Sequence, residues 1–205
     1  TLEIEDPVWL ARHRVNMSGA EGVWTGTGSD DGLGTAFKYV DSPIFEPLQD
    51  EQRPQRQERI RTLRERLIAL NRRGIDSYLF MYITGEPTEA LITHRPELLG
   101  PAQLYRASRD RISYRPFCWS KPEFHELVRQ LVQEIVKTYP TLSGFHLRTW
   151  GNETRACNCP ECGDSSEKGQ EMLWQVIFTI INAAREVRPD FKFYLSGYDQ
   201  SWLKD

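Results

Sequence analysis

The feature that most constrains this chain is an alternation repeated three times, in which a long stretch of helical periodicity is followed by a short strand-like run. Between Glu51 and Arg73, apolar residues recur at Ile60, Leu63, Leu67 and Leu70, with Arg and Glu on the other faces. Gly74 is placed to end that helix. From Lys121 to Thr138 the apolar set is Phe124, Leu127, Val128, Leu131, Ile135 and Val136. There Ser120 with Glu123 reads as a capping box, and Pro122 suits a first turn. From Lys168 to Val187 the set Met172, Leu173, Val176, Ile177, Ile180, Ile181 and Ala184 covers so much of the girth that the helix is expected to be well buried.

The run after the first helix, Ile75 to Thr84, is apolar on both faces, as a buried parallel strand should be. Ser143 to Trp150 and Phe191 to Ser196 follow the other two helices, each just past a proline. Arg12 to Met17 is expected to be a first strand. Strands that alternate with helices give βαβ units and a parallel sheet. The expected fold class is therefore α/β: a single domain over 1–205 with a partial TIM-type barrel of about four βα units. A closed (β/α)₈ barrel typically needs about 250 residues. Two long connections, 18–50 and 85–119, each follow a strand and precede a helix. In a barrel those are the loops that build the active-site face.

Composition removes several classes. Aromatics at 11% and hydrophobic residues at 39% exclude a disordered chain. A net charge of −3 gives no basic excess, so no nucleic-acid partner is expected. No apolar run has the length of a membrane span. The chain opens at Thr1 with no signal-peptide pattern, as a processed chain or a part of a longer one would.

Chemistry concentrates after the 143–150 run, at Trp150-Gly151-Asn152-Glu153. A carboxylate just past the C-terminal end of a parallel strand stands where barrels place catalytic groups. Partial burial would raise its pKa and suit it to be a general acid. The alternative is a solvated glutamate that caps a turn. Trp150 offers a face for a sugar ring. Along the strand, His146, Arg148 and Trp150 share one face, opposite Phe145, Leu147 and Thr149. On the expected first strand Arg14 shares a face with Arg12 and Asn16. Polar faces on neighbouring strands suggest a lined cavity, where Arg148 and Arg14 would hold an anionic group such as a carboxylate, or else pair with carboxylates of the domain. Glu86 and Asp199 also follow strand ends and are candidates for a second carboxylate or for caps. The glycine-rich stretch 26–32 lacks the dinucleotide spacing and reads as a surface loop, in which Trp24 could touch a ligand. His94 and His125 read as ordinary loop and helix-surface residues.

All four cysteines can converge. Cys157, Cys159 and Cys162 follow one strand, and Cys118 precedes a helix, so both segments belong on one side of the sheet. Four thiolates suit a tetrahedral structural zinc; disulfides and free thiols are the alternatives. No organic cofactor is expected.

The segment Thr93-His94-Arg95-Pro96-Glu97-Leu98-Leu99-Gly100 resembles a His-Pro-Glu-x-x-Gly loop of some bacterial carbohydrate-active barrels. Phe117-Cys118-Trp119-Ser120-Lys121-Pro122 is similar to their Leu-Cys-x-Ser-x-Pro segment. Tyr139-Pro140-Thr141-Leu142-Ser143-Gly144-Phe145 is similar to their Tyr-Pro-x-Leu-x-Gly, and a strand ending in Glu and Cys-x-Cys-x-x-Cys follow. In this order, over about residues 55 to 200, the chain resembles TIM-barrel glycoside hydrolases of the α-glucuronidase-like and hexosaminidase-like kind. The resemblance implies a retaining or inverting hydrolase of a polysaccharide or oligosaccharide, with Glu153 as the acid. It also implies a bacterial source, a carbohydrate partner that is in one version uronic-acid containing, and a secreted or periplasmic location, with the cytoplasm as the alternative. Substrate contacts would fall to Trp150, Arg148, Asn152, Trp24, Arg14 and His146. Asn152 stands where that family usually has a small residue, which is closer to the Asn-Glu pair of another large barrel clan. The rival functions are a carbohydrate-binding module without turnover and a metal-stapled interaction domain.

Overall fold

The computed structural model describes residues 6–21, 33–48, 52–82, 87–107, 110–149, 157–163 and 166–197. Its frame is a four-stranded, all-parallel sheet of β1 (Met17–Glu21), β2 (Asp76–Tyr82), β5 (Gly144–Thr149) and β6 (Lys192–Gly197), in the order β1-β2-β5-β6. Helices α2 (Arg53–Asn71), α4 (Pro122–Thr138) and α5 (Ser166–Val187) make the crossovers. The strands stand side by side in chain order, as successive βαβ units require. The arrangement is a mixed α/β unit of four parallel strands; among the described residues β1 and β6 are its edges and no closed barrel is formed.

The apolar periodicities sit where their spacing predicts. Ile60, Leu63, Leu67 and Leu70 are the buried apolar stripe of α2. All six apolar residues expected on α4 are buried, joined by Val132. On β5, Phe145 and Leu147 are fully buried and His146, between them on the other face, is half-buried. A fully buried Leu or Phe of this kind contributes about 1.5–3 kcal/mol. On α5, Leu173, Val176, Ile177, Ile180 and Ala184 of the expected set are buried and Met172 and Ile181 pack against the core, whereas Phe178, outside that set, is 54% exposed and stacks on the half-buried Trp174. The apolar girth of α5 therefore exceeds what α4 and the sheet cover.

The expected first strand at 12–17 is a correction. Asp6 and Pro7 start a short helix there, α1 (Pro7–Arg12), with the Asp6 carboxylate accepting from the Val8 amide at 2.9 Å. Arg14 follows with φ 56°. Its amide donates to the Ala11 carbonyl (3.1 Å) and the Val15 amide to Leu10 (3.0 Å), the two bonds of a Schellman turn. The strand begins only at Met17. α2 ends in the same way, with Gly74 (φ 68°) on Asn71 and Ile75 on Leu70. Each turn brings an apolar pair together, and Leu10, Leu70 and Ile75, with Val15 against them, form a small second core.

Neither long connection is structureless. Residues 33–48 hold two 3₁₀ turns that place Phe37, Tyr39, Val40 and Phe45 in the main core. Residues 87–119 hold α3 (Glu89–His94) and an antiparallel hairpin, β3 (Gln103–Ala107) with β4 (Asp110–Tyr114), closed off by a bridge between Leu99 and Phe117. Among the described residues no helix is long and apolar enough to cross a membrane.

Candidate metal centre

The segment around Leu99 and Phe117 builds the platform for the four cysteines. The Gly100 amide donates to Pro116 (2.8 Å) and the Cys118 amide to Leu98 (2.9 Å), which fixes Cys118 just ahead of α4. Lys121 reaches back to the carbonyls of Leu99 (3.0 Å) and Glu97 (2.5 Å). From the other side comes the connection between β5 and α5, with Cys157, Cys159 and Cys162. It approaches so closely that a Cβ on Gly100 would lie 2.2 Å from the Cys157 Cβ and 2.7 Å from its sulfur. Only a residue without a side chain fits there.

The four sulfurs lie within 4.8 Å of one another. Cys157 to Cys162 is 3.5 Å, Cys118 to Cys159 3.6 Å and Cys118 to Cys162 3.9 Å. A tetrahedron with metal–sulfur bonds of about 2.3 Å has edges of about 3.8 Å. None of the four is disulfide-bonded, and the sulfurs stand well beyond the ~2.05 Å of an S–S bond. Cys118, Cys157 and Cys162 are buried and Cys159 is half-buried. The donor set and its spacing could hold a metal ion.

Electrostatics divide the thiols. Burial pushes Cys157 and Cys162 up. Burial acts the same way on Cys159, but the Cys162 amide donating to its sulfur (3.4 Å), with help from Cys157 and Ser120, outweighs it and lowers the thiol to about 7. Four clustered thiolates repel one another, so only a cation lets all of them ionise together.

Three residues here carried no sequence expectation of this kind. Gly100 is needed for close approach. Ser120 is not a helix cap: α4 takes Lys121 as its N-cap without a side-chain bond, and the Ser120 hydroxyl lies 3.2 Å from the Cys118 sulfur and 3.7 Å from that of Cys159. His125 is not an idle surface residue, because its two ring nitrogens meet the Trp119 carbonyl and the Thr179 hydroxyl, both at 2.7 Å. It joins α4, α5 and the Cys118 segment. The Cys159-x-x-Cys162 clip was the available signal for the metal knuckle; the other roles depend on tertiary approach.

The residues expected to bind and act on a substrate are distributed less completely. Glu153, Trp150, Asn152, Trp24, Glu86 and Asp199 lie outside the described residues. Arg148 lies on β5, paired in register with Tyr82 and Ser196, and its side chain is outside the description. His146 is T-shaped to Phe80 and Tyr194 and shares a 2.6 Å hydrogen bond with Ser196. Arg14 is corrected: it is exposed in the turn before β1, so it lies at the N-terminal end of the sheet and not beside Arg148 on a strand face.

No family model matches this sequence, and a comparison with curated proteins gives no match. Solved structures do share the fold. The chain is similar to α-L-fucosidase isoenzyme 2 from Paenibacillus thiaminolyticus, with TM-score 0.51 and 17% identity, over 89% of this chain and 32% of that one. It is similar to a cold-adapted β-galactosidase from Rahnella sp. R3, with TM-score 0.54 and 14% identity, over 95% and 33%. It is also similar to a chitobiase from Flavobacterium johnsoniae, with TM-score 0.53 and 16% identity, over 93% and 28%. The chain thus spans about a third or less of these enzymes' length. The four-stranded parallel unit shares the fold of a part of each of these enzymes.

Proposed function

We propose that this chain is part of a glycoside hydrolase barrel and that Glu153 is its general acid. One observation carries the reading: three candidate carboxylates follow the C-terminal ends of three adjacent strands. Glu86 follows β2, Glu153 follows β5 and Asp199 follows β6, and these strands are neighbours in the sheet. Adjacent strands lie about 4.8 Å apart. Carboxyl pairs that cleave glycosidic bonds work at about 5–5.5 Å when retaining and about 6.5–9.5 Å when inverting. The fold likeness to solved glycoside hydrolases supports the same reading.

In this scheme Glu153 protonates the leaving oxygen, and Glu86 or Asp199 acts as nucleophile or activates water. Trp150 stacks on the sugar, while Asn152 and His146 bind hydroxyls. Arg148 holds a carboxylate if the substrate carries a uronic acid. The four cysteines hold a structural zinc, with all four positions filled by protein and none left for substrate. The zinc ties the β5–α5 connection, which begins beside Glu153, to the platform of Leu99 and Phe117.

The test is release of reducing sugar from a panel of neutral and uronic-acid polysaccharides, with Glu153→Gln alongside. The hydrolase reading expects release that falls by a factor of about 10² or more in the variant. Release equal in both proteins would sink the role of Glu153. Binding without release in either protein would establish a carbohydrate-binding module instead.

A further inference from the structure

We propose that Ser120 tunes the four-cysteine metal centre, its hydroxyl donating a hydrogen bond to the ligand sulfur of Cys118, with that of Cys159 as the alternative acceptor, when a metal is bound. The proposal rests on the metal reading of the cysteines and is independent of any hydrolase activity.

A serine just ahead of a helix ordinarily turns its hydroxyl onto the exposed amides of the first turn. Ser120 is placed for that, two residues before Pro122, yet α4 has no side-chain cap. Pro122 has no amide to cap, and the Phe124 and His125 amides donate to the Lys121 carbonyl at 3.1 and 3.4 Å. The hydroxyl is turned the other way, 3.2 Å from the Cys118 sulfur and 3.7 Å from the Cys159 sulfur. Both distances are within reach of a hydrogen bond to sulfur.

The direction of that bond depends on what the sulfurs carry. A thiol can donate to the serine oxygen, so metal-free protein can make the contact either way round. Once a divalent ion has displaced the thiol protons, the sulfurs are acceptors only and the hydroxyl must donate. A hydrogen bond to an ionised acceptor is stronger than one between neutral groups. Ser120 therefore favours the loaded state over the empty one, and that difference is what shifts a binding equilibrium.

A divalent ion with four thiolates carries a formal charge of −2, in a place where three of the four cysteines are buried. Donors to sulfur are what offset such charge. Among the described residues the Cys162 amide serves Cys159 at 3.4 Å, and Ser120 is the hydroxyl that reaches Cys118.

The experiment compares wild type, Ser120→Ala and Ser120→Thr, all of which keep the four ligands. Zinc affinity is measured by competition with a chromophoric chelator. Cobalt(II) is then substituted, and the sulfur-to-cobalt charge-transfer band is recorded. Ser120→Ala is expected to bind zinc about 10- to 100-fold more weakly. Its cobalt band is expected at lower energy, because a sulfur that has lost its donor gives up electrons more readily. Ser120→Thr, which keeps a hydroxyl, should restore the band. The thermal midpoint of the metal-free forms serves as a folding control and should be alike in all three. Zinc affinity within twofold of wild type with an unshifted band in Ser120→Ala would overturn the proposal. Failure of the wild type to take up zinc or cobalt at all would overturn the metal reading beneath it, and leave the hydrolase reading to its own assay.

Discussion

A single residue shows how much of this structure is local. Arg14 adopts φ 56°, a conformation that costs an L-residue about 1–2 kcal/mol. It does so because the turn delivers Val15 against Leu10, as Gly74 delivers Ile75 toward Leu70 without that cost. Arg14→Gly should therefore stabilise the protein by about 0.5–1 kcal/mol, after allowing for glycine's greater freedom in the unfolded chain. A rise of a few tenths of molar or more in the urea midpoint would show it; an unchanged or lower midpoint would refute the strain argument. The same residue shows a limit of pattern reading. Arg12, Arg14 and Asn16 alternate as on a strand, but Asp6 and Pro7 launch a helix whose closing turn produces that alternation by coincidence. Ser120 shows the converse, since its sequence context fits a capping box yet its hydroxyl lies 3.2 Å from the Cys118 sulfur and 3.7 Å from that of Cys159, 39 residues away.

At the scale of elements, one polar clamp fastens α2 to the loop before it. Asp41 accepts from Gln57 at 2.8 Å, from the buried Arg56 at 3.0 Å and from Arg53 at 3.4 Å. The Gln57 amide and these two guanidinium groups hold the Asp41 carboxyl below its usual value. The folded state thus binds a proton less readily than the unfolded one. The clamp's contribution is complete above the unfolded carboxyl's pKa of about 3.9 and is lost as pH falls through the lower folded value. Asp41→Ala is expected to cost about 1.5–3 kcal/mol at pH 7, and the gap between wild type and variant should narrow as pH falls below about 4. A gap that stays constant between pH 7 and pH 2 in chemical denaturation would count against it. Asp41 had no mark in the sequence, because its partners stand 12 to 16 residues away on a helix whose arginines all look alike. The apolar stripe of that helix, in contrast, was readable residue by residue.

At the scale of the whole molecule, the four cysteines join two connections that leave the same end of the sheet. Loading of one zinc should raise the thermal midpoint by about 5–10 °C at a hundredfold excess over its dissociation constant, and a strong chelator should reverse the rise. Cys157 and Cys162 are held up by burial, so they carry protons at neutral pH and must release them to the ion. Each proton released per ion makes binding about tenfold weaker for a fall of one pH unit, so affinity should drop steeply as pH falls. Zinc affinity measured between pH 6 and pH 8 tests the sign and the slope; an affinity independent of pH would show that thiol deprotonation does not accompany binding. On the same scale, Phe178 on α5 remains exposed, while its stacking partner Trp174 packs in part against the core. The periodic set of that helix is buried as its spacing predicts, and Phe178 lies outside it, on a face that no described neighbour covers.

Local pattern alone is enough to locate the helices α2, α4 and α5, the strands β2, β5 and β6, and their parallel pairing. Each follows from short-range periodicity, from punctuation by Gly74, Pro140 and Pro189, and from the handed, sequential packing of βαβ units. It also marked the four cysteines, since a thiol's chemistry is legible wherever it occurs. Long-range packing brings their sulfurs to tetrahedral spacing, requires Gly100 to lack a side chain so as to admit Cys157, and leaves Ser120 facing sulfur instead of the helix. The tertiary structure likewise turned Arg12 to Val15 into a helix end and the connection 87–119 into a helix and a hairpin. These features share a cause: each depends on a contact between segments that are distant in the chain or on competition between local signals, and no local pattern records which contact wins.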